Sequence, residues 1–281
     1  MNRQRPNVLR LLMRLPAWRV AVALVGSLAI AALLFSLIEP SVSAEERWQA
    51  IRARGLWRVG IDPGVYPFSF YGQQGWDGFD AELMRELSRR VGLEVRAVPV
   101  GYDGFYDAII AGRVDLAMSA LVADPARMAD FRYSQPYADV GLRVISPAAS
   151  PVRAVDDLRG RCVAVALGSE GDRAARRLER RVPRMTRQVA MNEDDAIAQM
   201  LAGKCDAAIV SGLRALREGC PLFNHRPSYK RIHCFILQSR YYVVAFSSQD
   251  RRMAEAFDAA LSETATDGTL ERIAQRWLAE R

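Results

Sequence analysis

Arg127 follows Asp124-Pro125, an order that sets it on a short helix: the aspartate caps the first amides and the proline takes the first helical position. A guanidinium held at the end of a strand offers a carboxylate two parallel hydrogen bonds. By spacing alone Arg127 reads equally as such an anchor or as half of a surface salt bridge. Ser119, Ala120, Leu121 and Val122 lead up to it, and the Ser119 hydroxyl reads as a ligand contact or as a strand-end cap. A second constellation, Gly168-Ser169-Glu170-Gly171, opens a helix. Exposed amides there attract anions. Glu170 would oppose an anion but could meet an amine, and it is equally an acid well placed on the helix dipole. Tyr66, Phe68, Phe70, Trp76 and Tyr102 stand near loops, where aromatic walls bury apolar ligand area. Phe68 and Phe70 read as core; Trp76 and Tyr102 read either way.

Other chemistries find little support. Neither a Ser-His-Asp arrangement nor a glycine-rich phosphate cradle is visible. The two histidines, His225 and His233, stand between Cys220 and Cys234 at a spacing that fits no common zinc pattern; a disulfide is the better reading. No cofactor and no metal are expected. The formal charge is +7, and only Lys204 and Lys230 among 39 basic residues are lysines. Arg3, Arg5, Arg10, Arg14 and Arg19 carry much of that excess, so the rest of the chain is near neutral. Nucleic-acid binding would want a basic face with exposed aromatics. The densest run, Arg173, Arg176, Arg177, Arg180 and Arg181, alternates with Ala174, Ala175 and Leu178 as a solvated helix face does.

The elements that must position these residues begin after an uncharged stretch, Val20 to Ile38. Arginines precede it; Pro40 and then Val42-Ser43-Ala44 follow. This is the form of a signal peptide cleaved after Ala44, although the apolar run is also long enough for an uncleaved anchor. Either way residues 45–281 lie outside the cytoplasm, because the positive flank stays inside. Leu56 to Ile61, Val95 to Val100 and Val114 to Ala120 read as strands. Between them, helices are marked by Phe79, Leu83, Met84, Leu87 and Val91, with Asp80 as cap and Gly92 as stop, and by Phe105, Ala108 and Ile109 after Asp103. The same β-α-β-α-β order returns over Cys162 to Val210, with a helix over Gly171 to Arg181. Ala111-Gly112-Arg113-Val114-Asp115-Leu116-Ala117 nearly repeats as Ala202-Gly203-Lys204-Cys205-Asp206-Ala207-Ala208.

The fold class expected is therefore α/β: two doubly wound lobes with a ligand cleft between them. Residues 45–145 make lobe 1, completed by 240–281, and 146–239 make lobe 2. The joint falls near Ser146 to Pro151, a strand over Tyr241 to Phe246 leads back, and helices over Met253–Thr264 and Gly268–Leu278 close the chain. In such a lobe the first and third strands are parallel neighbours, so Cys162 and Cys205, each opening a strand, are expected to bridge. Cys220 and Cys234 then pair with each other.

Val59-Gly60-Ile61-Asp62-Pro63, Tyr66-Pro67-Phe68, Gly78-Phe79-Asp80-Ala81-Glu82-Leu83, Asp130 to Tyr137, Asp206 to Val210 and Gly268-Thr269-Leu270 before Trp277 together resemble extracellular solute-binding proteins of family 3. These are the polar amino-acid receptors of ABC importers, and the resemblance spans about residues 50 to 281. It implies the type 2 periplasmic-binding-protein fold. It also implies a small polar solute, a permease partner and a monomer that closes on its ligand. Arg127 then corresponds to the arginine that grips the ligand α-carboxylate. Val122 stands where the family offers Ser or Thr, and Ser211 where it commonly places Asp or Glu for the α-ammonium. Glu170 becomes the candidate partner for a ligand cation. A membrane-anchored sensor, and a dehydratase of the arogenate type with Glu170 as its acid, are the alternative functions on the same fold.

Overall fold

A computed structural model describes residues 43–222 and 232–279. The expected export segment, its Pro40 and Val42, and His225 lie outside them. Among the described residues no helix is long and apolar enough to cross a membrane.

The first lobe opens with helix α1 (Ala44–Arg54), which Arg47 ties to Asp250 at 2.6 Å. Strand β1 (Leu56–Ile61) follows, then the hairpin strands β2 (Gly64–Val65), β3 (Ser69–Gly72) and β4 (Gly75–Asp77). Helix α2 (Phe79–Val91) buries Phe79, Leu83, Met84 and Leu87 on one face and ends at Gly92, whose left-handed φ of 77° suits a residue without Cβ. Next come β5 (Glu94–Pro99), a 3₁₀ turn (Tyr102–Gly104), α3 (Phe105–Ile110) and β6 (Leu116–Ala117). Strands β7 (Phe131–Tyr133) and β8 (Ala138–Asp139) lead out of the lobe.

The second lobe contains β9 (Leu142–Pro147), β10 (Cys162–Ala166), α4 (Glu170–Glu179), β11 (Thr186–Ala190), α5 (Glu193–Leu201), β12 (Ala207–Ser211), α6 (Gly212–Arg217) and β13 (Ile232–Gln238). The chain returns through β14 (Tyr241–Tyr242) and β15 (Ala245–Ser247), and α7 (Arg251–Thr266) and α8 (Thr269–Ala274) pack back on lobe 1.

Each lobe holds a five-stranded sheet, ordered β5-β1-β6-β15-β7 in lobe 1 and β11-β10-β12-β9-β13 in lobe 2. In both, the first strand lies between the second and third in parallel, which is the doubly wound arrangement expected. The repeated sequence has one structural task in each. Gly112 and Gly203 turn the chain at φ of 62° and 72°. The following aspartates then clip strand three to strand one: Asp115 accepts from the Arg58 amide at 2.7 Å and Asp206 from the Cys162 amide at 2.9 Å. Cys162–Cys205 and Cys220–Cys234 are both disulfides, with Cα separations of 4.7 and 6.0 Å.

Some details differ from the sequence reading. Leu142–Pro147 is a strand of the second sheet, so the chain crosses between lobes at residues 138–141, before the Ser/Pro stretch taken as the joint. The Ser146 hydroxyl is buried there on the Val152 carbonyl. The strand expected over Val114 to Ala120 is regular only at Leu116–Ala117, because Ala120 turns left-handed at φ 48°. The strand expected over Tyr241 to Phe246 is two short ones in different sheets. Asp80 is not the cap of α2. Gly78 takes that place, where a Cβ would lie 2.5 Å from the Phe68 carbonyl oxygen.

Both crossings meet in a two-stranded ribbon, β8 with β14. The buried Asp139 carboxylate accepts from the Gly141 and Arg240 amides, both at 3.0 Å, and so ties one crossing strand to the other. Arg143 donates to the Asp139 carbonyl at 3.0 Å and to that of Leu222 at 3.2 Å. A side chain at Gly141 would collide with the Gln238 carbonyl at 1.9 Å. The ribbon is therefore fixed in register where the chain passes between the two sheets.

Candidate functional site

In a doubly wound lobe the loops after the carboxyl ends of the parallel strands carry the site. In lobe 1 these are the loops after β1 and β6. Asp62 ends the first. Its carboxylate accepts from the Gly64 and Tyr102 amides, both at 2.9 Å, and its amide donates to the Ser119 hydroxyl at 2.9 Å. Ser119 is fully buried, and its hydroxyl straps the two strand ends together. Ala120 donates its amide to Asp80 at 2.9 Å, with the Tyr137 hydroxyl 3.1 Å away. Asp80 is completely buried, and burial pushes its carboxyl up to about 7, against the opposing hydrogen bonds it accepts from the Ala120 amide and the Tyr137 side chain. The same burial, beside Asp80, pushes the Tyr137 phenol well up.

Val122 exposes its side chain, and its amide reaches the Tyr102 hydroxyl at 3.4 Å. Asp124 caps the following 3₁₀ turn (Pro125–Arg127) by accepting from the Ala126 amide. Arg127 rides on that turn, nearly half exposed. Its Nε lies 3.4 Å from Asp124, and its guanidinium sits 4.4 Å above the Tyr106 ring. The anchor candidate is thus steered by a cation–π contact and one long ion pair.

In lobe 2 the corresponding loops follow β10 and β12. Gly168 has φ 71°, and Ser169 caps α4 by accepting from the Asp172 amide at 3.0 Å. Glu170 already has a cation: one guanidinium nitrogen of Arg240 contacts both its oxygens, at 2.9 and 3.0 Å. Ser211 caps α6, and its hydroxyl and amide both donate to Glu193, at 2.8 and 2.6 Å. A carboxylate therefore does stand at the end of β12. It comes from the first residue of α5 rather than from the strand itself. The sequence signal was the acidic start Glu193-Asp194-Asp195 after the cap Asn192, which reads equally as helix-dipole charge.

The aromatic candidates divide. Tyr66 is exposed and rests on Phe70, 5.2 Å between ring centres. Tyr102 is half-exposed against Phe105. Trp76 is core: it is buried, and its indole donates to the buried Ser69 hydroxyl at 2.9 Å. A concavity of about 590 Å³ beside Trp76 and Arg85 opens at the amino end of β5, opposite the loops that carry the candidates. His233 contacts the Ala148 carbonyl at 2.8 Å, and Cys220 and Cys234 are bonded to each other, so the paired zinc reading is not realised.

The family profile of the bacterial extracellular solute-binding proteins, family 3, matches residues 57–280. The chain belongs to that family. In this family 3 protein the two lobes share one topology, and each carries its candidate residues on the loops after the carboxyl ends of its parallel strands. The chain is 25% identical over 260 residues to the L-cystine-binding protein TcyJ of Escherichia coli (strain K12), covering 91% of this chain and 94% of TcyJ. It is 24% identical over 223 residues to the arginine-binding extracellular protein ArtP of Bacillus subtilis (strain 168), covering 78% and 84%. Among solved structures, an ancestral cyclohexadienyl dehydratase shares the fold, with a TM-score of 0.65 and 21% identity over 82% of this chain and 95% of that one. The named sequence relatives of this family 3 protein are thus binding proteins, while the fold they share also occurs in an enzyme.

Proposed function

We propose that this protein is the amino-acid-binding component of an ABC importer. It works outside the cytoplasm as a monomer and releases its solute chemically unchanged to a permease. One observation carries the reading: the strand-end loops of the two lobes offer opposite charges, Arg127 in lobe 1 and the Glu193 carboxylate seated on Ser211 in lobe 2. An amino acid carries the complementary pair, an α-carboxylate for the guanidinium and an α-ammonium for the carboxylate. Tyr66 and Tyr102 supply apolar walls for its side chain. Gly168 and Ser169 add backbone at a helix start, and Ala120 and Val122 shape the loop that leads to Arg127. The names of the relatives, receptors for L-cystine and L-arginine, support this solute class.

Calorimetry on the protein with L-cystine and a panel of L-amino acids tests the reading. Arg127→Ala should weaken binding by about 2–5 kcal/mol, as loss of one partner from a desolvated charge pair does, and Glu193→Gln should weaken it similarly. Binding that is indifferent to both changes would remove the amino-acid reading. Turnover of arogenate or prephenate would replace it with the enzyme. Export follows by cleavage after Ala44. N-terminal sequencing of the natural protein should begin at Glu45, and a start at Met1 would make it a tethered receptor.

A further inference from the structure

A second pair of charges, which the amino-acid reading does not use, stands at the carboxyl end of the first lobe 2 strand. Glu170 is the first residue of α4, at the carboxyl end of β10, where a ligand meets lobe 2. Arg240 lies on the crossing between β13 and β14. Its backbone is fixed on both sides: its amide donates to Asp139 at 3.0 Å, and its carbonyl accepts from the Val140 amide at 3.0 Å. The guanidinium therefore projects from a rigid ribbon toward α4 and meets both Glu170 oxygens, at 2.9 and 3.0 Å. Both side chains keep solvent access, 48% for Arg240 and 32% for Glu170, so the pair lines open space rather than core. The neighbouring cation Arg173 is turned back onto the Gly168 carbonyl at 3.0 Å.

An unpaired carboxylate at this position would attract a solute with a cationic side chain. Paired, it presents no net charge. We infer that Arg240 is a specificity-determining residue that masks Glu170, so that the protein takes amino acids with uncharged side chains and discriminates against arginine and lysine. This rests on the amino-acid reading above. It assigns Glu170 a role different from direct contact with a ligand amine: neutralised by Arg240, the acid attracts no cationic side chain until its partner is removed. The device is discrimination by a solvent-accessible counter-charge supplied by the protein itself.

The test is calorimetry of the full chain and of Arg240→Ala, Arg240→Gln and Arg240→Ala/Glu170→Gln with L-cystine, L-glutamine, L-arginine and L-lysine. Truncating Arg240 leaves its backbone bonds in place, and the glutamine variant preserves side-chain bulk should the alanine perturb the ribbon. The parent should bind an uncharged-side-chain ligand more tightly than L-arginine or L-lysine. In both single variants the affinity ratio should move toward the cationic ligands by about tenfold, the scale of one partly solvated charge. The double variant should lose that gain. If either single variant binds and its ratio is unmoved, or if the parent already prefers L-arginine, the masking role is overturned while the amino-acid reading stands. If neither the parent nor the variants bind any of the four, the masking role is overturned, and the amino-acid reading falls with it only when the wider panel above also fails to bind.

Discussion

Lobe 1 packs Trp57, Phe79, Phe246 and Phe257 around β1 and α2, whereas lobe 2 fills the same wiring with Val163, Val165, Ala174, Ala175, Ala207 and Ile209. Burial of small side chains removes less apolar area from water, and the two disulfides both lie in lobe 2. The helix starts differ as well. α2 and α3 begin at glycines without a side-chain cap, while α4, α5 and α6 are capped by Ser169, Asn192 and Ser211. One topology is thus held by aromatic packing in one lobe and by covalent bridges and polar caps in the other. The site inherits the difference. In lobe 1 its loop is fixed from below by a buried carboxyl, and in lobe 2 its loops are fixed by hydrogen bonds and ion pairs open to solvent.

Reduction of both disulfides should separate the lobes most. Each bridge contributes about 2–4 kcal/mol, all of it to lobe 2. Four of the five tryptophans, Trp48, Trp57, Trp76 and Trp277, pack in or against the lobe 1 core, and the fifth is Trp18, so in residues 45–281 fluorescence follows that lobe while circular dichroism follows both. In urea with reductant, the dichroism transition should move to lower denaturant and part from the fluorescence transition. Coincident transitions would mean the lobes unfold as one unit and would break the comparison.

The converse change is Trp57→Ala, which should cost about 3–5 kcal/mol in lobe 1. Trp57 is fully buried against Phe257, 6.1 Å between ring centres, and its indole N–H has no partner among the described residues. Trp57→Phe removes that unpartnered donor and keeps a ring, so it should cost much less. Equal losses for the two variants, measured by urea unfolding, would show that packing around the ring is not what holds lobe 1.

A third effect belongs to Asp80. Its carboxyl is raised by burial to about 7 in the folded protein, from an ordinary value of 3.8. Below pH 4 both folded and unfolded chains carry the proton and folding is unpenalised. As pH rises from about 4 to 7 the unfolded chain releases the proton while the folded one keeps it, so stability falls, and above 7 the loss is constant. Asp80→Asn should remove this slope, a difference on the order of a few kcal/mol between pH 4.5 and pH 8. The amide oxygen can still accept from Ala120. A parent and variant with parallel stability profiles would refute the assignment.

The sequence shows the scaffold more readily than the site. The helical spacing of Phe79 to Val91 and the repeated Ala-Gly-x-x-Asp turns announce two doubly wound lobes, because periodicity and turn chemistry are local. Asp80 deceived because an aspartate at a helix start has one sequence signature for two roles. It reads as a cap, yet here it crosses to Ala120, 40 residues away. Glu170 reads as a free acid because Arg240 stands 70 residues later. Glu193 reads as dipole charge because nothing local reveals that β12 ends beside it. The Ser/Pro stretch reads as a joint because its composition is that of a loop, although Leu142–Pro147 pairs on both sides within the second sheet. Each miss is a contact made across the chain.

The smallest effect is also the most selective. The Ser169 hydroxyl accepts from the Asp172 amide at 3.0 Å, and the helix it caps, α4, carries Glu170. Removing a serine cap costs about 1 kcal/mol, which in a chain of this size lowers Tm by roughly 2–4 °C. Ser169→Ala should show that loss and Ser169→Asp should restore most of it, since a carboxylate also accepts the amide and suits the helix dipole. Gly78→Ala offers the contrast in lobe 1. No cap bond is lost there, but the added Cβ meets the Phe68 carbonyl at 2.5 Å and φ is 113°, so the cost should be steric and no polar residue should rescue it. Rescue by aspartate at 169 and failure of rescue at 78 would confirm that the two lobes start their helices by different means. Rescue at both positions would show that capping, and not backbone fit, governs lobe 1 as well.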